Sequence, residues 1–223
     1  MIKKTNKNTT AVYLQLEPGR SCILRCLNKA KPGGPKWKYR RPLQNENGIP
    51  VKIEGEWQVK FVSGGPILPE PCQIKTLCSW TDFGDTEAKR FGGTARYTIK
   101  FEKPAVEAGD WLLDLGRVCE SARVYVNGHY VQTLFSIPFK AAIGDYLCDG
   151  ENTLEVEVTN LAANRIADLD RRKVDWKKFY DINFVNNQYQ PFDASNWPLM
   201  DSGLLGPVRL IPLMDYDKAW KSI

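Results

Sequence analysis

A single histidine, His129, is all the imidazole this chain has. Ser–His–Asp and Cys–His schemes need an imidazole oriented by a third group. His129 follows directly on an Asn127-Gly128 step and reads as an ordinary strand residue. The phosphate- and dinucleotide-binding glycine patterns are missing, as is the G-x-S-x-G nucleophile elbow. The six cysteines, Cys22, Cys26, Cys72, Cys78, Cys119 and Cys148, form no C-x-x-C pair, and one histidine cannot complete a Cys/His zinc set. Cys22, Cys26 and Cys148 sit in apolar stretches and read as small buried hydrophobes, with disulfides left open. No apolar run approaches the roughly 18 residues that suggest a membrane span, so no membrane partner is expected. The start, MIKKTNKNTT, is basic but lacks the apolar core of a signal peptide. The expectation is a cytoplasmic protein or, if the chain is a piece of something longer, a periplasmic or secreted one.

Charge of one sign is also scarce. The net charge is +5, from 31 basic and 26 acidic residues. The densest basic stretch, Arg171, Arg172, Lys173, Lys177 and Lys178, is too short for a nucleic-acid groove without a motif, so nucleic acid is not an expected partner. What the chain does have is size and apolar content. Its 223 residues are 43% hydrophobic, which allows a sizeable core.

Up to residue 50, AVYLQL and SCILRCL suggest two short strands joined by Pro18-Gly19, followed by a polar, glycine- and proline-rich linker from Asn28. Beyond it, short runs alternate with period two. GEWQVKF places Trp57, Val59 and Phe61 on one face, and TARYTIKF does the same with Ala95, Tyr97, Ile99 and Phe101. WLLDL and ARVYVNGHYV follow, and Asn127-Gly128 predicts a two-residue hairpin pairing Val126 with His129 and Tyr125 with Tyr130. LEVEVTN and GPVRLIP complete the set. Many short strands without long helical periodicity predict an all-β chain, an antiparallel β-sandwich. Gly92 and Gly93 are expected at a turn before the strand from Thr94, and RRKVDWKKFY could hold a helical turn.

Three stretches could carry chemistry. After LEVEVTN comes a loop rich in amides and charges, with Asn164, Arg165 and Asp168. Acids gather there, as Asp168, Asp170, Asp175 and Asp181, and again in SWTDFGDTE, as Asp82, Asp85 and Glu87. Such groups serve as hydrolytic pairs, as structural calcium ligands or as solvated loop residues. Neither cluster has EF-hand spacing, and no other cofactor is implied. Aromatic residues crowd 176–197, among them Trp176, Phe179, Tyr180, Phe184, Phe192 and Trp197, and Trp80 sits among polar neighbours. Rings that stack on sugar C–H faces, beside amides and carboxylates, suit carbohydrate, although large rings are more often packed inward. Trp80, Asn164, Arg165, Asp168, Trp176 and Tyr180 are therefore the candidates for a face toward carbohydrate or a partner.

"FGGTARYTIKF", "WLLDLGRVCESARVYVNGHYV", "IPFKAAIGDYLCDGENTLEVEVTNLAANRIAD" and "SGLLGPVRL" come, after "GEWQVKF", in an order resembling the sugar-binding β-sandwich of family 2 glycoside hydrolases. The order is more similar still to the C-terminal sandwich of family 106 α-L-rhamnosidases. The resemblance runs from about Val51 to Leu213 and implies a jelly roll of the galactose-binding-like type over 51–213. It leaves 1–50 as an N-terminal extension and 214–223 as a tail. Enzymes of those families are longer and keep their catalytic carboxylates in a separate barrel-type domain that no stretch here matches. The resemblance thus implies a fragment, or the product of a truncated or split gene, with no catalytic residue to carry over. Its expected function is a non-catalytic, carbohydrate-associated sandwich whose partner is carbohydrate or a glycoside hydrolase catalytic domain. The other readings are an interaction or scaffolding sandwich that binds no sugar, and a small self-sufficient hydrolase using the loop acids.

Overall fold

The computed structural model describes residues 2–4, 9–16, 21–27, 38–44, 48–178, 185 and 188–215. Its strands, in chain order, are β1 (Ile2–Lys4), β2 (Thr10–Val12), β3 (Arg40–Pro42), β4 (Val51–Lys52), β5 (Trp57–Gly65), β6 (Cys72–Ile74), β7 (Gly92–Glu102), β8 (Asp110–Asp114), β9 (Arg117–Cys119) and β10 (Ser121–Val126). They continue as β11 (His129–Leu134), β12 (Lys140–Ala142), β13 (Glu151–Thr159), β14 (Gly203–Gly206) and β15 (Arg209–Asp215). Two helices interrupt them, α1 (Thr86–Lys89) and α2 (Ala163–Arg171). No helix among the described residues is long and apolar enough to cross a membrane.

β1-β2 and β14-β9 form two-stranded sheets; of the two large sheets, one has the order β11-β10-β13-β7-β5-β6, the other β12-β8-β15-β3 with β4 also on β15. Every ladder in them is antiparallel. Their inner faces share one core, so the chain is an all-β antiparallel sandwich. The alternating runs supply it as expected: Ala95, Tyr97, Ile99 and Phe101 are buried together with Val124, Leu154, Val156 and Val158. Trp111, Leu113 and Leu210 come from the opposite sheet. The hairpin also forms as its sequence predicts, with Val126 opposite His129, Tyr125 opposite Tyr130, and positive φ at Asn127 (51°) and Gly128 (78°).

Other expectations change. Gly92 and Gly93 lie inside β7, paired with Gly65 and Gly64. A Cβ on Gly93 would sit 2.6 Å from the Gly64 Cα and 2.7 Å from the Phe91 ring, so these glycines let two backbones approach rather than turn. Residues 21–27 form no strand. Arg40–Pro42, from the stretch read as linker, pairs with Leu213–Asp215 in the second sheet. All six thiols are free. The buried one is Cys119, whereas Cys26 and Cys148 are exposed and Cys22 is half-buried.

Candidate functional site

The amide-rich stretch after β13 is not a loop. Asn160 extends the β13–β7 ladder by one step, with its side-chain Oδ1 accepting from Gly93 N at 2.9 Å and its Nδ2 donating to Phe91 O at 3.0 Å. The chain then turns into α2. Its interior holds the helix formers Ala167 and Leu169. Asn164 and Ala167, three apart, point inward, while Arg165, Asp168 and Arg172 fall at ion-pair spacing along the outer face. Lys173 ends the helix at φ 54°, with Lys173 N donating to Asp170 O and Val174 N to Leu169 O, both at 3.0 Å. A helical turn in RRKVDWKKFY is thereby limited to Arg171 and the capping residues. Phe179, Tyr180, Asp181 and Phe184 lie outside the described residues.

Asn164 is buried and works as a clamp. Its Oδ1 accepts from Met200 N and its Nδ2 donates to Met200 O, both at 2.8 Å, as a neighbouring strand would. Ser202 Oγ then accepts from Asn160 Nδ2 at 3.0 Å and from Asn164 Nδ2 at 3.4 Å. No face of the Asn164 amide is left for a ligand. Asn164→Ala orphans a donor and an acceptor on Met200 and should cost about 2–4 kcal/mol in a urea melt. An unchanged midpoint would show that Met200 finds other partners.

Arg165 and Asp168 are tied to each other at 3.0 Å, and Asp168 Oδ2 also meets Arg172 Nε at 3.2 Å and Arg90 Nη1 at 3.7 Å. This hub fastens α2 to the α1 turn, where Arg90 also pairs with Glu87. Trp80 is a correction: its side chain is fully buried, edge-on to Phe61 at 5.4 Å and to Phe91 at 5.9 Å. Ser79 caps the 3₁₀ turn Trp80–Asp82 and keeps the indole inside despite its polar sequence neighbours. In the same stretch Asp85 caps α1, accepting from Glu87 N at 2.8 Å. Among the described residues no three His, Cys, Asp or Glu side chains are grouped to hold a metal ion.

Trp176 stands elsewhere, on an open concavity of about 650 Å³ that it lines with Asp170, Arg171, Asp175, Asp193 and Asn196. Asp170 is its organiser, accepting from Trp176 Nε1 and Ala194 N, each at 2.7 Å, and pairing with Lys177 at 3.2 Å. Phe192 meets the Trp176 ring edge-on at 6.0 Å. Arg171 donates to the Ser195 and Trp197 carbonyls, closing the rim. The six candidates are therefore not one constellation. Trp80 is core, Asn164 a buried clamp, Arg165 and Asp168 an ion-pair hub, and Trp176 a concavity residue, with Tyr180 undescribed.

Burial opposes ionisation of Asp170, but the Ala194 N–H, the Trp176 N–H and Lys177 outweigh it and hold the carboxyl below its usual range. A folded value below the unfolded one, about 3.9, means that its stabilisation is complete above that pH. It is lost as pH falls through the folded value. Wild type should therefore lose more stability than Asp170→Asn between neutral pH and about pH 3. Parallel thermal melts of the two proteins across that range would refute this.

No family model matches the chain. Over an alignment of 185 residues, 74% of the chain, it is 32% identical to a Formosa agariphila protein named "Putative beta-glucuronidase", and it spans 16% of that protein. The rhamnosidase of Novosphingobium sp. PP1Y matches at TM-score 0.59 and 31% identity, over 80% of this chain and 16% of its own. The β-glucuronidase of Bifidobacterium dentium, solved with coumarin-3-O-glucuronide, shares the fold at TM-score 0.54 and 22% identity, over 77% of this chain and 31% of its own. In sequence and in fold, then, the chain is similar to a minor part of glycoside hydrolases several times its length.

Proposed function

We propose that this chain is a non-catalytic, carbohydrate-associated sandwich of a glycoside hydrolase of the α-L-rhamnosidase type. In this reading it has the galactose-binding-like jelly roll and supports or contacts a catalytic domain. The observation that carries the reading is its match, at 31% identity over 80% of this chain, to only 16% of a rhamnosidase. The acids support it. Glycoside hydrolysis needs two carboxyls about 5–10 Å apart, one of them with a raised pKa. Asp168 is neutralised by arginines, and the pKa of Asp170 is displaced in the opposite direction.

One end of the sandwich supports contact with another protein surface. Leu134 pairs with Ala122, and Ala122 with Val158, so Phe135 and Leu161 emerge at the same end as α2. Phe135 and Ile137 are each 76% exposed there, and Leu161, Leu199 and Met200 are exposed as well. The same apolar end is what favours the second reading, an interaction sandwich that binds no sugar.

Assays with aryl α-L-rhamnosides and aryl β-D-glucuronides test the non-catalytic role. Expected is no turnover above that of Asp168→Asn and Asp170→Asn proteins prepared in parallel. Turnover that either substitution abolishes would make the chain a hydrolase in its own right.

A further inference from the structure

Along one edge of the sandwich the chain passes from one large sheet to the other. β4 lies at the edge of the second sheet, beside β15, and β6 is the end strand of the six-stranded one. Residues 53–56 cross between them from β4 to β5. A cleft of about 570 Å³ lies there, within the usual range for small-molecule sites. Its walls are mostly apolar: Ile53, Leu77, Leu205, Pro207 and Val208, with Trp57. Lys52, Glu54, Glu56, Lys75 and Thr76, all exposed, form its rim. Trp57 brings the one feature a purely apolar wall would not have. It belongs to the core and is 2% exposed. Among the described residues nothing accepts from its indole N–H, yet that N–H is not sealed from solvent as the unpaired Trp80 N–H is. The sliver of Trp57 that solvent reaches therefore includes its only donor. A buried indole N–H ordinarily has an acceptor, and at this position the cleft is what can supply one.

We propose that this cleft binds an uncharged ring compound that presents one acceptor oxygen to Trp57 Nε1. The walls select the class. A charged group at their depth would lose its water and meet only aliphatic side chains and a neutral N–H. A sugar carries hydroxyls around its whole ring, and Ile53, Leu77, Leu205, Pro207 and Val208 answer few of them. An apolar ring with a single carbonyl or ether oxygen loses little water and satisfies the indole. The charges stay on the rim. Lys52 pairs with Glu54 at 2.7 Å. Trp57 stands opposite Ile74, so the next step of that ladder brings Glu56 beside Lys75. Outside the lining, Arg209 lies opposite Lys52, and Asp114 opposite both Arg209 and Lys140. Lys52, Arg209 and Lys140 against Glu54 and Asp114 leave that row one charge positive, in solvent and away from the walls. The Trp57 ring is already held by the core, so its donor is fixed before a ligand arrives and little side-chain freedom is lost on binding.

This site goes beyond the proposed function and needs neither a sugar nor a catalytic domain, so the two fail separately. Lack of turnover says nothing about it, and lack of binding here leaves the role beside a catalytic domain standing. The test is a ¹⁵N-HSQC titration of the full chain with chromone, a neutral fused ring bearing a carbonyl, and with chromone-2-carboxylate and L-rhamnose as the charged and polyol probes. The Trp57 indole cross-peak is the one missing from the spectrum of Trp57→Phe. Chromone should shift it saturably, at about millimolar affinity or better, together with the amides of Leu77 and Leu205. The carboxylate and rhamnose should each bind roughly five-fold more weakly or less. Trp57→Phe keeps an apolar ring and removes the donor, and should weaken chromone binding roughly five-fold or more at the Leu77 and Leu205 amides. Should that variant fail to fold, the wild-type side-chain N–H cross-peaks and the three probes still decide. No saturable shift of an indole cross-peak up to the solubility of chromone overturns the proposal. So do shifts centred on Trp176 instead, binding of the carboxylate or rhamnose as tight as that of chromone, or undiminished binding by a folded Trp57→Phe protein.

Discussion

Ile99→Asp should yield no soluble protein that melts cooperatively. Ile99 is 3% exposed in the middle of β7, opposite Leu154, with Tyr97 and Phe101 on the same face. Removing its apolar surface from the core costs about 1.5–3 kcal/mol. The new carboxylate adds several kcal/mol more, because it would be buried without a partner. Among the described residues the buried polar side chains are Ser79, Thr81, Asp110, Asn152, Asn164 and Ser202, none of them a cation. The sum reaches the range of a whole domain's stability, about 5–15 kcal/mol. Two controls separate this cause from general intolerance. Ile99→Val should lose only about 0.5–1.5 kcal/mol. Thr98→Lys, one residue along and facing solvent opposite Glu155, should melt like wild type. A cooperatively melting Ile99→Asp protein would refute the inward face of β7.

That β7, β10 and β13 could be read directly from the sequence has a physical cause. Each has a wet face and a dry face, so side-chain polarity repeats every second residue. Asn127-Gly128 is equally local, because two consecutive positive-φ residues define the tight hairpin without help from the rest of the fold. Such features need only a few neighbouring residues to be decided.

α2 was less visible for a related reason. Its apolar stripe is short, Ala163, Ile166 and Ala167 with Asn164 beside them, and the amides and charges around it look like a loop. The spacing from Arg165 to Asp168 and on to Arg172 was the available signal. The asparagines were misleading in another way. Asn160 and Asn164 bond backbone at Phe91, Gly93 and Met200, and Gln15 does the same across Arg40, accepting from its N at 2.9 Å and donating to its O at 2.8 Å. These are long-range substitutes for strand pairing, and a side-chain amide looks alike in sequence whether it binds backbone or ligand. The burial of Trp80 depends on Phe61 and Phe91 and on Ser202, far along the chain, whose carbonyl accepts from Trp80 N.

The same long-range logic makes Asp110→Asn and Arg40→Met costly singly and mild together. Asp110 begins β8 with its side chain 4% exposed, and Arg40 of β3 reaches it as an ion pair with its own side chain 19% exposed. Asp110 Oδ1 also accepts from Trp111 N at 2.7 Å and Gly144 N at 2.9 Å, so the carboxylate joins β3, β8 and the turn before Tyr146. Asp110→Asn keeps an oxygen for the two N–H groups but leaves the guanidinium without its counter-charge. Arg40→Met leaves the carboxylate unpaired. Each single change should cost about 3–5 kcal/mol, or a melting temperature lower by roughly 6–20 °C for a chain of this size. In the double variant no charge is stranded, the amide oxygen still serves Trp111 and Gly144, and the introduced thioether side chain fills the space of the guanidinium stem with apolar atoms. Urea melts of the four proteins form a double-mutant cycle, and the double variant should be well above the stability that the two single costs added together would leave. Additive costs would mean that the pair does not couple Arg40–Pro42 to the second sheet. The segment would then be held by Gln15, by the β3–β15 ladder and by contacts such as Lys38 with Asp145 and Arg41 with Met214.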